Sequence, residues 1–215
     1  MGRLVVIEGL DGAGKRTLAD ALTAELTRLG KTVARRAFPR YGEDVHADLV
    51  RDALQGRLGD TVDSVYAMAV LYALDRRGAA DSLRADLAAH DVVLLDRYIA
   101  SNAAYCAARL HQDAHGEFVG WAYELEIRRF GLPVPDLHLL LQVPVEVAAA
   151  RAVHREAVEA DRARDSYETD AGLQARCAKV YQQLAAEHWL ADWHVVDGVT
   201  EVDFTRLAAR ALGAG

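Results

Sequence analysis

The chain has 215 residues, 52% of them apolar, and a formal net charge of −7. That length and apolar content can bury a sizeable core, which excludes a disordered or low-complexity chain. The acidic balance excludes a bulk nucleic-acid binder, and apolar runs cut by Arg, Asp or Glu are too short to span a membrane.

The first element is a strand, "RLVVIE" (3–8), which turns acidic too early to serve as a leader; a cytoplasmic protein is therefore expected. The loop "GLDGAGKRT" follows and a helix is expected over 15–30. Gly9, Gly12 and Gly14 let backbone N–H groups turn inward around a phosphate, the helix start adds unpaired donors, and Lys15 adds a point charge. Strand, glycine loop and helix together give a phosphate-binding loop, so a nucleoside polyphosphate is the expected ligand. The loop is irregular: Arg16 stands where Ser or Thr usually follows the lysine, and the hydroxyl comes one residue late, at Thr17. A Mg²⁺ ion would then rest on water and acids, with Asp11, Asp96 and Glu168 as candidates. Asn102, the sole asparagine, is followed by Ala103, so there is no guanine-reading N-K-x-D motif and a GTPase is excluded.

Further along, "TVARRAF" (32–38) reads as the second strand, with "FPRYG" after it and helices over 45–55 and 62–89. "DVVLLD" (91–96) is the third strand. Asp96 and Arg97 lie at its carboxyl end, where open α/β sheets bind ligands, and Arg97 can clamp an acceptor phosphate with two prongs. On the helix expected over 100–113, Ser101, Tyr105 and Arg109 share one face, beside Asn102. Helix 117–130, strand "DLHLLLQV" (136–143), helix 144–157, helix 169–188, strand "WHVV" (193–196) and helix 202–212 complete the order. The run 154–168 is dense in charge and suits a solvent-facing lid, at about 150–165; an exposed helix end is the plainer alternative. Cys106 and Cys177 lack metal-type spacing and are expected to be reduced. Alternating strands and near-continuous apolar strand runs imply a single domain over 1–215. Its expected class is α/β, a three-layer P-loop NTPase fold with a five-stranded parallel sheet between helices.

With these motifs in order, "GLDGAGK", "FPRYG", "DRYIASNAAY" and "RARDSYE", the chain resembles thymidylate kinases over essentially its whole length. "GAGKRT" and "SVYAMA" are most similar to the actinobacterial members. The resemblance implies transfer of the γ-phosphoryl of ATP to dTMP with Mg²⁺, on the route to dTTP, by a homodimer. It implies ATP contacts from Gly9, Leu10, Asp11, Gly12, Ala13, Gly14, Lys15 and Thr17; Arg16 stands later than the loop arginine of the members that have one, so its contact with the ATP phosphates is expected from its charge and its place on the first helical turn alone. The resemblance places dTMP against Asp11, Pro39, Tyr41, Tyr72, Arg76, Arg97, Ser101, Asn102, Tyr105 and Tyr167. Tyr72 would stack on thymine, Arg76 bond a base carbonyl, Asn102 read the pyrimidine edge and Tyr105 crowd the sugar 2′ carbon. Pro39, Arg40 and Tyr41 would close over the monophosphate. Asp11 and Glu168 are the expected metal ligands. Transfer needs positive charge at the moving group, and Lys15, Arg16, Arg97, Arg155 and Arg162 are the expected catalytic set, with Arg151 stacking on adenine. Cys106 departs from the family, which more often has a small or polar residue there. Two rival readings stay open: a kinase for another nucleoside or nucleotide, and a nucleotide sensor without turnover.

Overall fold

The computed structural model describes residues 1–158, 167 and 170–214, with no side-chain detail at 155–158. Five strands, β1 (Arg3–Glu8), β2 (Val33–Ala37), β3 (Val92–Asp96), β4 (Leu137–Gln142) and β5 (Asp192–Asp197), form one sheet in the order β2-β3-β1-β4-β5. Every pairing is parallel. Helices α1 (Lys15–Arg28), α2 (Val45–Leu54), α3 (Val65–Gly78), α4 (Ala80–Ala89), α5 (Ile99–Arg109), α6 (Glu117–Tyr123), α7 (Val145–Val158), α8 (Ala171–Ala186) and α9 (Phe204–Ala211) connect and flank the strands.

Side chains alternate across a strand, so a strand covered on both faces must be apolar throughout. Val5 and Ile7 of β1 and Leu94 of β3 pack on one face with Leu18 and Leu22 of α1, the alanines of α5, and Cys177 and Leu184 of α8. Leu4, Val6, Val93 and Leu95 pack on the other with Leu83 and Leu87 of α4. The edge strands carry charge instead: Arg35 and Arg36 of β2 pair with Asp20 and Asp86, which discourages pairing with another sheet edge. β1 has β3 on one side and β4 on the other, so the loops leaving β1 and β3 diverge at a topological switch point and open a crevice.

The long helix expected over 62–89 is instead three pieces. A 3-10 turn (Gly59–Asp63) precedes Ser64, whose Oγ accepts the Ala67 N–H (3.3 Å) and starts α3 afresh. The path breaks again at fully buried Ala79, between α3 and α4. Helix 117–130 likewise widens after α6 into a π turn (Glu124–Arg129), with the Phe130 N–H donating to Leu125 O (3.0 Å).

One core residue is out of character. His138 of β4 is fully buried and stacked on Trp193 (centroids 4.2 Å apart), and neither ring nitrogen has a hydrogen-bond partner among the described residues. Burial holds its pKa down at about 3, so the ring is neutral. An unsatisfied buried polar group costs roughly 1–3 kcal/mol. H138F should therefore raise the melting temperature by several degrees, read by calorimetry; a lower value would show that the imidazole has a partner worth more than this cost.

Candidate active site

The glycine loop owes its shape to close packing. A Cβ on Gly9 (φ 145°) would lie 2.6 Å from Leu141 O, and one on Gly12 (φ 77°) 2.1 Å from Ala148 O of α7. Gly14 (φ 102°) turns the chain into α1, whose first N–H groups have no side-chain cap and are left for an anion. Of the loop residues expected to meet a ligand, Asp11, Gly12, Gly14, Lys15, Arg16 and Thr17 line the cavity, whereas Gly9, Leu10 and Ala13 are buried behind it. Lys15 Nζ donates to Leu10 O (2.8 Å) and Gly9 O (3.2 Å). Arg16 and Thr17 are exposed on the first turn of α1 and line the cavity beside Gly12 and Gly14.

Burial, followed by the nearby Arg97 charge, pulls the Lys15 ammonium down to about 8, against the pull of Asp11. A polyphosphate would favour the charged form and raise that value. The ligand-free protein therefore holds less proton on Lys15 than the complex above pH 8, and binding takes up a proton. Affinity for ATP should weaken by about tenfold per pH unit above 8, and calorimetry in two buffers of different ionisation heat should detect the uptake. K15R, charged throughout, should lose both effects; their persistence would exclude Lys15 as the source.

β3 delivers the opposing wall. Arg97 adopts φ 67°, a left-handed conformation costly for a residue with a Cβ, and its N–H donates to Ile7 O (3.0 Å). Its Nη2 is bonded to Asp11 Oδ1, its Nη1 donates to Ser101 Oγ (3.1 Å), and the guanidinium lies 5.2 Å from the Tyr105 ring centroid. Tyr105 OH donates to Asp11 Oδ2 (2.7 Å). Burial works against ionised Asp11, yet Arg97 and Lys15 hold its carboxyl down at about 2. Beneath them Glu8, fully buried at the end of β1, accepts from the Tyr98 N–H (3.0 Å), Ser101 Oγ (2.6 Å) and Tyr181 OH (3.1 Å). Burial raises its pKa.

Loop and wall enclose a cavity of about 660 Å³, a volume suited to a small ligand. Beyond the loop and Arg97, it is lined by Pro39, Tyr41, Arg51, Tyr72, Arg76, Asn102 and Cys106 among others. Arg76 is buried and forms a two-pronged pair with Glu126 of the π turn (2.5 and 2.8 Å). Asn102 Nδ2 donates to the same carboxylate (2.9 Å) and to Ala69 O (3.2 Å). Arg40, expected with its neighbours over an anion, serves the fold instead: its side chain bonds Asp75 and Asp44, which fixes the FPRYG turn against α3.

From α7, Arg151 donates to Ala13 O (3.1 Å) and Gly198 O (3.3 Å), bridging the glycine loop and the turn after β5. Tyr167 lines the cavity and is bonded to Arg109, which also donates to Val62 O (2.5 Å). Arg109 thus links the 3-10 turn to Tyr167 and is not itself part of the cavity wall. The Arg155 side chain, Arg162, Arg164 and Glu168 lie outside the described residues.

Three residues at the site escape the reading of the motifs. Glu8 looks like a strand end and Tyr181 like a core aromatic of α8. Glu126 carried a signal, because it continues the buried stripe Phe118, Val119, Ala122 where an apolar residue belongs. Both cysteines are buried and free.

Residues 7–203 match the family model described as thymidylate kinase. The chain is 50% identical over 206 residues to a thymidylate kinase of Mycobacterium tuberculosis, covering 96% of this chain and 95% of that protein. It is 36% identical over 213 residues to one of Xanthomonas oryzae pv. oryzae (98% and 82% covered), and 35% over 215 residues to one of Xanthomonas campestris pv. campestris (98% and 82%).

Proposed function

The chain belongs to the thymidylate kinase family, and on that premise we propose how its own residues divide the work. The reaction is phosphorylation of dTMP to dTDP at the expense of ATP. The observation that carries the assignment of roles is one cavity with two ends of different chemistry. Lys15, Arg16 and Arg97 line it around the glycine loop, and Tyr72, Arg76 and Asn102 line it where Glu126 pairs with Arg76 and Asn102. The charged end suits phosphates and the neutral end suits a base.

Gly9 to Thr17 bind the ATP phosphates, with Lys15 and Arg16 supplying charge; the ATP KM of R16A tests the second, and an unchanged value removes Arg16 from the scheme. Arg151, bonded to the turn after β5, flanks the adenine. Arg97 holds the acceptor phosphate in line with the γ-phosphoryl. That phosphate is already an anion, so no general base is needed, and catalysis consists of positioning and charge stabilisation. Arg155 and Arg162 of the lid would add charge at the transferring group. Tyr72 stacks on the base, Arg76 and Asn102 read its edge, and Ser101 and Tyr105 hold the sugar side, with Pro39, Tyr41 and Tyr167 closing around dTMP.

Mg²⁺ fits the donor set. Asp96 Oδ1 is buried without a hydrogen-bond partner among the described residues, and Asp11 is ionised close to the glycine loop. No cluster of three or more His, Cys, Asp or Glu occurs among the described residues. An ion held by one or two carboxylates plus phosphate oxygens is the coordination Mg²⁺ favours. Asp11 and Asp96, together with Glu168, would hold it directly or through water. Bound there, it would neutralise charge on the β- and γ-phosphate oxygens.

We further propose a single domain over 1–215 and a cytoplasmic homodimer. Tyr66 is 41% exposed although it packs with Phe118 and Trp121, an aromatic cluster that a second copy could cover. No helix among the described residues is long and apolar enough to cross a membrane. Sedimentation at micromolar concentration tests the dimer. An ADP-release assay offering dTMP, dUMP, UMP, dCMP, AMP and thymidine tests the acceptor, and preference for any other acceptor would sink the dTMP assignment.

A further inference from the structure

We propose that Glu126 is a positioning residue that fixes the hydrogen-bonding polarity of the base end, so that it accepts a pyrimidine carrying N3–H and a C4 carbonyl and rejects one carrying bare N3 and a C4 amino group. This rests on the reading of Arg76 and Asn102 as the groups that meet the base. An ionised carboxylate only accepts hydrogen bonds. Glu126 Oε2 accepts from Arg76 Nε (2.5 Å), while Oε1 accepts from both Arg76 Nη2 (2.8 Å) and Asn102 Nδ2 (2.9 Å). The second N–H of the Asn102 amide is spent on Ala69 O (3.2 Å).

Asn102 therefore cannot flip: turning the amide would set Oδ1 against a carboxylate oxygen and a carbonyl oxygen at once. The Cys106 thiol, 3.5 Å from Oδ1, reinforces the same orientation as a weak donor. What Asn102 has left for a ligand is acceptance at Oδ1. What Arg76 has left is donation, because Nη1 makes no hydrogen bond among the described residues and Arg76 lines the cavity. One acceptor beside one donor complements N3–H and O4 of a thymine or uracil ring. A cytosine ring would bring its N3 lone pair to Oδ1 and its amino group to Nη1, two like-with-like contacts in a buried place. The same carboxylate cancels the Arg76 charge, leaving the pocket neutral for a neutral ring.

The π turn makes this possible. The widened turn at Glu124–Arg129, with its Phe130 N–H to Leu125 O bond, brings a fully buried carboxylate against α3 and α5; α5 has no acid of its own, and the buried acid of α3, Asp75, is spent on Arg40.

The test is steady-state kinetics with dTMP and dCMP as acceptors at saturating ATP, on wild type, E126Q and E126D, with melting temperature and ATP KM measured alongside. Gln keeps the shape but offers an N–H₂ to Asn102, which frees the amide to turn. E126Q should lower the dTMP-to-dCMP ratio of kcat/KM at least tenfold, chiefly through KM for dTMP, with ATP KM unchanged. Asp keeps the charge but reaches only one of the two partners, so E126D should lower the ratio several-fold, and it decides the matter if E126Q does not fold. A ratio preserved in the folded variants, with both acceptors losing rate equally as stability falls, would overturn the proposal and leave Glu126 a purely structural anion. A wild type that does not prefer dTMP over dCMP would instead overturn the underlying reading of Arg76 and Asn102.

Discussion

R97A should lose about 10²–10³ in kcat/KM for dTMP while its KM for ATP changes by no more than about threefold. The loss is large because one side chain does several things. The guanidinium neutralises Asp11, bonds Ser101 and lies over Tyr105, and further N–H groups of its fork remain for a phosphate. Without it, the Asp11 carboxylate, now held at about 2 by Arg97 and Lys15 together, becomes a repulsive charge facing the acceptor. R97K should recover little, since an ammonium cannot reproduce the planar fork. The left-handed backbone at residue 97 points the same way: its cost is tolerated where the bond to Ile7 O and the surrounding packing over-determine the turn. Steady-state kinetics with dTMP varied is the check. An R97A enzyme within tenfold of wild type would remove Arg97 from the acceptor site.

The second large effect is on stability. E8A should destabilise the protein by about 3 kcal/mol, because it strands the buried Tyr98 N–H and one of the Ser101 and Tyr181 hydroxyls, which lie 2.8 Å apart so that only one can be satisfied by the other, at roughly 1–3 kcal/mol each. For a chain of this size the melting temperature should fall by roughly 6–12 °C. E8Q keeps an acceptor oxygen and should fall by less than half of that. The pH dependence gives a further check. Burial raises the Glu8 pKa, so the protonated group favours folding, and that contribution is complete below the ordinary glutamate range and lost as pH rises through the folded value. The stability gap between wild type and E8Q should therefore narrow from acid toward neutral pH. A melting temperature for E8A within 2 °C of wild type would show that Glu8 does not tie β1 to α5 and α8.

Most of the residues that line the cavity were legible because they are local. Gly9 to Thr17 are contiguous, and Arg97, Ser101, Asn102 and Tyr105 lie within two turns of one strand end, so short-range geometry alone brings them together. Arg40 misled for the complementary reason. Next to Pro39 and Tyr41 it reads as a cation for an anion, but Asp75, thirty-five positions away in sequence, meets it first. Glu126 is similar: its partners Arg76 and Asn102 are fifty and twenty-four positions distant. A helix-period stripe could mark it as a polar residue in an apolar place without saying which charge it meets. The break of 62–89 into a 3-10 turn and two helices was also hidden, since Ser64 and Ala79 are both tolerated inside a helical pattern and act as boundaries only through their neighbours.

The sequence by itself determined the parallel α/β architecture, the glycine loop and the end of the sheet at which the cavity lies. These follow from the strand and helix periods, the glycine spacing, and the rule that strand ends carry the site. Only the tertiary structure decided which charges are free and which are spent. Arg40 and Arg109 brace the fold, Arg97 and Asp11 neutralise one another across the cavity, and Glu126 and Glu8 serve as buried acceptors for groups far away in the chain. Residue type specifies how many hydrogen bonds a side chain can make, whereas partner choice depends on distances and burial that exist only once the sheet and its helices are packed.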